Sequence, residues 1–127
     1  MTATIMEFRP KDRIYQDVEP IALIYRSMGT AAAEEVVARA LGELALTMSG
    51  LADQVRGNNT LDIGRQLRRL GRMSEQLGLV SLGTVANDAR NCIDSGDVMA
   101  FAAVWARLIR VAESSLATDS GALDQQR

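Results

Sequence analysis

The residues of this 127-residue chain best suited to chemistry are charged side chains that recur every three or four positions. At about 100° per residue, this spacing places four of them in one narrow sector of an α-helix: Arg65, Arg68, Arg72 and Glu75. A guanidinium group stays protonated and cannot act as a nucleophile or base, but it binds carboxylates and phosphates well. The pattern, flanked by Arg69, therefore predicts a surface that binds an acidic partner.

Two glycines, Gly64 and Gly71, lie on the neighbouring edge of this sector. A glycine inside a helix is less favourable than alanine by about 1 kcal/mol, so two of them on an exposed edge predict the close approach of another backbone. The alternative is that the arginines are ordinary solvated surface charges and that the glycines are only tolerated. The residues alone leave both interpretations open.

Other chemistry finds little support in the residue types. The chain has no histidine, and the single cysteine, Cys92, excludes an internal disulfide and a metal site with paired cysteines. The aspartates do not follow calcium-loop spacing, the glycines of residues 78–84 lack a P-loop lysine, and Ser114 and Ser115 have no histidine base. We therefore expect no catalytic residue, no metal, no cofactor and no enzymatic activity.

Charge and hydropathy limit the partners. The net charge of −2 provides no global basic field, so binding to nucleic acid or to a membrane surface is not expected. The sequence has no apolar run of membrane-spanning length and no signal-peptide pattern, which favours a cytoplasmic location.

The elements that position the arginines are predicted to be helices. Hydrophobic residues make up 47% of the chain but aromatic residues only 4%, and this aliphatic composition favours an all-α fold. We expect one domain over residues 20–117, an antiparallel four-helix bundle preceded by a short additional helix that starts at Pro20. Residues 1–19 are expected to form an irregular arm, and residues 118–127 a flexible tail.

Apolar periodicity marks the inner face of each long helix. After a predicted N-cap at Thr30, the first of these has Val37, Leu41, Leu44, Met48, Leu51 and Val55. The helix of residues 60–77 has Ile63, Leu67, Leu70, Ser74 and Leu77. The third has Leu82, Val85, Ala86, Ala89, Cys92 and Ile93, and the last, capped by Asp97 and fading near Ala117, has Phe101, Val104, Trp105, Leu108, Val111 and Ala112. Short connections require neighbouring helices to run antiparallel.

The turns and the apolar skeleton resemble a known family. Gly57-Asn58 and Gly96-Asp97 stand at the two turns, and Leu70, Leu77 and Gly78 fall in register with the motif of histidine-containing phosphotransfer (HPt) domains of bacterial phosphorelays. The resemblance covers residues 21–117 and puts Arg68 at the position of the phosphorylatable histidine. The polar part of the motif is lost, because Gly71 and Arg72 stand where the family has lysine and glycine.

The resemblance implies a phosphotransfer domain without its phosphate carrier. Such a module would not transfer phosphate, but it would still dock a response-regulator receiver domain or a histidine kinase. Arg68 would pair with the partner's aspartate or its phosphoryl group, and Arg65, Arg69 and Arg72 would raise the association rate.

Two functions of other classes remain as alternatives. The first is a structural or assembly protein that acts mainly through homodimerisation, for which the apolar residues Ile5, Met6 and Phe8 of the arm give support. The second is an enzyme or small-molecule binder that works without histidine, and the spacing of the carboxylates gives it no support. Light scattering and salt-dependent binding to a receiver would separate these hypotheses.

Overall fold

A computed structural model describes the backbone of residues 14–125 and the side chains of residues 14–117. Residues 14–125 form five helices: α1 (Glu19–Met28), α2 (Thr30–Arg56), α3 (Thr60–Gln76), α4 (Val80–Ser95) and α5 (Val98–Gln125). No strand occurs between residues 14 and 125, so the prediction of an all-α fold is confirmed for this part of the chain. Ile5, Met6 and Phe8 of the predicted arm lie outside the described residues.

The helix boundaries follow the turn residues, with one exception at α2. Asp97 caps α5 as predicted, because its Oδ1 accepts a hydrogen bond of 3.0 Å from the backbone N–H of Ala100. Thr30 is not a cap: it is the first residue of α2, and Gly29 occupies the N-cap position with φ 82°. A glycine adopts that backbone angle without steric penalty, which explains the shift by one residue.

The last helix is longer than the sequence suggested. α5 continues to Gln125 and does not fade near Ala117, so residues 118–125 of the predicted tail are helical. This stretch contains no proline, and the alanine and leucine residues of α5 favour a helix. Residues 126 and 127 lie outside the described part.

The core is aliphatic and matches the predicted stripes. Its buried members are Val37, Leu41, Leu44, Leu51, Ile63, Leu67, Leu70, Leu77, Leu79, Leu82, Val85, Ala86, Ala89, Leu108, Val111 and Ala112. Seven of the predicted inner residues are only half-buried: Met48, Val55, Cys92, Ile93, Phe101, Val104 and Trp105. Several of them, including Cys92 and Trp105, lie toward the chain reversal between α4 and α5, where fewer neighbours are available to cover them.

Each helix packs against the next one along the chain, and α3 and α4 form the most extensive contact. Their connection, residues 77–79, is so short that the chain must reverse its direction there. α1 packs on α2, where burial and the nearby Glu34 carboxylate raise the pKa of the Tyr25 phenol. α2 and α5 touch only sparsely. The molecule is a helical bundle in which the α3–α4 pair is the best-packed unit.

Part of the predicted arm is hydrogen-bonded to the α3–α4 connection and to the first turn of α4. The backbone N–H of Tyr15 donates to Ser81 Oγ (2.7 Å), the N–H of Ser81 donates to the Tyr15 carbonyl (3.1 Å), and the N–H of Asp17 donates to the Gly78 carbonyl (2.7 Å). We call residues 15–17 the N-terminal clasp. Because of these bonds, the clasp forms one wall at this end of the α3–α4 pair.

The long helices are not membrane spans. Among residues 14–125, no helix combines the length and the apolar character needed to cross a bilayer.

Candidate functional site

Helix α3 presents the predicted arginines to solvent. Its inner face buries Ile63, Leu67, Leu70 and Ser74. Arg65, Arg68, Arg69, Arg72 and Glu75 are all exposed, as the helical spacing predicted. Ser74 is tolerated on the buried face because its hydroxyl donates a 2.8 Å hydrogen bond to the Leu70 carbonyl. The first turn is capped by Asn59, whose side chain accepts a hydrogen bond from the Asp62 N–H.

Beside this exposed surface, a cleft of about 570 Å³ runs between α3 and α4. Its lining consists of Asp17, Pro20, Leu67, Arg68, Gly71, Arg72, Glu75, Gly78, Leu79, Val80, Gly83, Thr84, Asn87 and Arg90. We call it the arginine cleft, after Arg68, Arg72 and Arg90. Its volume falls within the range of roughly 300–1,000 Å³ that is typical of small-molecule sites.

The α4 wall of the cleft was not anticipated. Gly83, Asn87 and Arg90 are spaced four and three residues apart, so they share one face of α4, and Thr84 lies beside them. In the sequence, only the spacing of these residues beside the apolar stripe of α4 indicates a shared face. This indication is weak, because many helices have polar residues beside their buried stripe. Only the packing of α4 on α3 places this face near Arg68.

The two helices approach each other closely at Gly83. A Cβ atom at this position would lie 3.6 Å from Ser74 Cβ and 3.8 Å from the Gly71 carbonyl oxygen. These short distances show that the α4 backbone at Gly83 lies against α3 near Gly71 and Ser74. α3 and α4 run in opposite directions. Arg68, about one turn before this contact on α3, and Asn87, one turn after it on α4, therefore lie at about the same level.

Of the close approach predicted at Gly64 and Gly71, the structure shows only one on the carbonyl side of Gly71, where α4 passes at Gly83. A Cβ at Gly64 would meet only the Ile93 side chain, at 3.8 Å, and within the described part of the chain nothing lies within 4 Å of a Cβ at Gly71 apart from α3 itself. The reason is the position of Gly71, which lines the cleft, where a side chain would project into open space.

The cleft divides the predicted face into two groups. Arg68, Gly71, Arg72 and Glu75 line it, whereas Arg65, Arg69 and Gly64 do not. Arg65 reaches its neighbour Asp62, with a distance of 3.5 Å between Nη1 and Oδ1. The predicted face is therefore one continuous exposed surface of α3, of which only one side borders the cleft.

The cleft contains more positive than negative charge. Its lining includes three arginines and two acidic residues, Asp17 and Glu75. Within residues 14–117, none of Arg68, Arg72 and Arg90 forms an ion pair. Asp17 has a structural role, because its Oδ1 accepts a 3.0 Å hydrogen bond from the Glu19 N–H at the start of α1.

Arg90 has a further unusual feature. Its Nε atom is buried and has no hydrogen-bond partner among the described residues. A buried donor without a partner destabilises a protein by about 1–3 kcal/mol, so such atoms are uncommon unless a ligand or water satisfies them.

A second, smaller cleft lies at the other end of the α3–α4 pair. This apolar cleft, of about 300 Å³, is lined by Val55, Asn58, Thr60, Ile63, Cys92, Ile93, Gly96, Asp97, Val98, Phe101, Ala102 and Trp105. The rings of Phe101 and Trp105 are stacked with their centroids 6.2 Å apart. Val98 at its rim is 78% exposed, and the neighbouring Met99 is 85% exposed.

No metal site is apparent in the described part of the chain. Across these residues, no three side chains of histidine, cysteine, aspartate or glutamate come together in a group that could hold a metal ion.

Comparisons with known proteins provide no relative for this chain. No family model matches it, and neither a curated protein nor a solved structure does.

Proposed function

We propose that this chain is a non-catalytic binding module of the phosphorelay type. It docks a receiver domain or a histidine kinase through the α3 arginine face, which we define as Arg65, Arg68, Arg69 and Arg72. In this proposal the bundle is a degenerate HPt domain of a bacterial cytoplasm, with the antiparallel four-helix arrangement of that family. The module regulates its partner by occupying the surface that a true phosphotransfer domain would use.

The observation that carries the proposal is the state of Arg68. Its side chain is exposed and, among the described residues, has no ion-pair partner, so its guanidinium is available to a carboxylate or phosphoryl group of another protein. Arg69 and Arg72 are exposed beside it. Because the sequence contains no histidine, this surface can bind a partner but cannot carry phosphate on an imidazole.

The bundle type receives support from the packing of consecutive helices. α2, α3, α4 and α5 share one aliphatic core, and contacts between α2 and α5 bring the first and last of them together. The sparseness of those contacts leaves the α3–α4 pair as the dominant unit, and it is this pair that presents the arginines.

The test is equilibrium binding of purified receiver and histidine-kinase domains encoded by the same genome. We expect Arg68→Ala/Arg72→Ala to weaken binding by about tenfold or more, because the loss of even one charge-assisted contact of about 1.5 kcal/mol lowers the affinity about tenfold. Raising the salt concentration should weaken wild-type binding and affect the variant less.

The matched control is Arg39→Ala/Arg56→Ala, which removes the same charge from two exposed positions of α2. It should change the affinity by less than about twofold, since surface charges away from an interface contribute little. Equal binding by wild type, variant and control would exclude the α3 arginine face as the surface that binds the partner.

The apolar cleft favours a second candidate function, assembly through homodimerisation. Exposed Val98 and Met99 beside a cleft lined by Phe101 and Trp105 form the kind of apolar surface that self-association covers. Light scattering across a concentration series tests it. A dimer that is lost in Val98→Asp/Met99→Asp would support this candidate, and a monomer at all concentrations would contradict it.

A further inference from the structure

We infer that the arginine cleft is a binding site for a small phosphate-bearing molecule. This inference does not rest on the proposed docking function, because Arg90 and the rest of the α4 wall lie outside the α3 arginine face. The two sites share Arg68 and Arg72 but differ in shape: the docking surface is the exposed side of one helix, and the cleft is a concave space between two.

Arginines from two helices line the cleft without ion-pair partners. Arg68 and Arg72 come from α3 and Arg90 from α4, and none of the three has a carboxylate partner within the described residues. Arg68 and Arg72 are exposed and Arg90 is half-buried, and all three line the same space. An anion placed between the walls would contact guanidinium groups on both sides.

The α4 wall of the cleft also carries residues that can donate hydrogen bonds. Thr84, Asn87 and Arg90 all line it. A phosphate monoester presents three strong acceptor oxygens and a charge of about −1.5 to −2 at neutral pH. A carboxylate offers fewer acceptors and less charge, so the donor set favours phosphate.

The cleft is large, and its apolar, acidic and basic lining residues lie in different parts of it. At about 570 Å³ it has room for an organic body as well as a phosphate group. Leu67, Leu79 and Val80 provide apolar contact, while the Asp17 and Glu75 carboxylates lie toward the clasp. Those carboxylates would repel an anion, so the phosphate lies toward Arg68 and Arg90 and the uncharged part of the ligand toward the clasp.

The test uses inorganic pyrophosphate as the probe, titrated by calorimetry into the whole chain at low salt. We expect Arg90→Ala to weaken binding about tenfold, because it removes a charge-assisted contact. The control is Arg69→Ala, which removes the same charge from α3 outside the cleft and should change binding by less than about twofold. Glu75→Gln should tighten binding about two- to threefold, because a repelling carboxylate is removed.

Gly71→Glu keeps the experiment decisive if Arg90→Ala is poorly folded. A side chain at Gly71 enters open space, so the fold should accept it while the new carboxylate blocks the cleft. We expect its pyrophosphate binding to be lost and its circular dichroism to be unchanged.

Three outcomes would overturn the inference: no binding of pyrophosphate to the wild type, equal weakening by Arg90→Ala and Arg69→Ala, or binding of succinate as tight as that of pyrophosphate. None of them concerns partner docking. Loss of receiver binding in Arg65→Ala/Arg69→Ala, with pyrophosphate binding intact, would show that the two functions stand or fall separately.

Discussion

The two clefts of this protein lie at opposite ends of the same helix pair and have opposite chemistry. Each contains a glycine with φ +73°, Gly78 in the arginine cleft and Gly96 in the apolar cleft. The surroundings of these glycines differ. Gly78 is buried beneath the N-terminal clasp, where a Cβ would overlap the Asp17 carbonyl oxygen, whereas a Cβ at Gly96 would meet nothing within 4 Å.

The linings of the clefts differ in their relation to the core. Phe101, Trp105 and Ile93 of the apolar cleft pack against buried core residues, so this cleft is the incompletely covered end of the core itself. Arg68 and Arg72 of the arginine cleft are exposed and make no ion pair in the described part of the chain. One cleft is thus continuous with the apolar core, whereas the other is lined by exposed charged side chains. Substitutions at comparable positions of the two clefts test this difference.

The largest effect is expected at the two left-handed glycines. Gly78→Ala should lower the free energy of unfolding by about 3 kcal/mol or more, because it combines an unfavourable backbone angle with an overlap on the clasp. Gly96→Ala should lower it by only about 1 kcal/mol, since the backbone angle alone is unfavourable there. Urea denaturation of both variants measures the difference. Equal decreases in the free energy of unfolding would mean that the clasp does not lie against Gly78 in solution.

The next largest effect on stability is expected at Trp105 in the apolar cleft, in contrast to Arg68 in the arginine cleft. Trp105→Ala should destabilise the protein by about 2 kcal/mol, less than the loss for a fully buried ring, because Trp105 is half-buried and stacked on Phe101. Arg68→Ala should change stability by less than about 0.5 kcal/mol, as is usual for exposed charges. Thermal unfolding of both variants is the measurement. A large loss at Arg68 would show that the arginine cleft is part of the structural core and not a surface kept for binding.

The smallest effect is a gain of stability at Gly71. Gly71→Ala should raise the free energy of unfolding by about 0.5–1 kcal/mol, because alanine favours the helix and its methyl group has open space. Gly42→Ala on α2 is the matched control, since a Cβ there also meets nothing within 4 Å. Both should stabilise the protein equally in urea, but only Gly71→Ala narrows the arginine cleft and should weaken pyrophosphate binding. Weaker binding by both variants would argue against the cleft as the binding site.

Much of the fold follows from helical periodicity in the sequence. The inner stripe of α3, from Ile63 to Ser74, and the exposed sector with Arg68 and Arg72 are both fixed by residue spacing, because a helix assigns each position to a face before any packing occurs. The half-burial of Cys92 and Trp105 did not follow from this rule. A stripe predicts which face turns inward, but not whether neighbouring helices extend far enough to cover its end.

The site was only half predictable for a related reason. Arg68, Gly71, Arg72 and Glu75 belong to one helix and could be grouped from their spacing, but Arg90 and Asn87 join them only because α4 packs on α3 at Gly83. The predicted backbone approach occurs on the carbonyl side of Gly71 but not at Gly64, because the sequence cannot show which glycine lies at a helix contact or which side of it meets the neighbour.

The sequence alone determined the helices, their inner and outer faces, and the absence of any histidine. Only the tertiary structure decided that Arg90 converges with two arginines of α3, and that Tyr15 is bound to Ser81, 66 positions away. The physical reason is the range of the interactions. Helical periodicity arises from residues three and four positions apart, whereas a cleft depends on the register and distance between separate helices, which are set by the packing of the whole core.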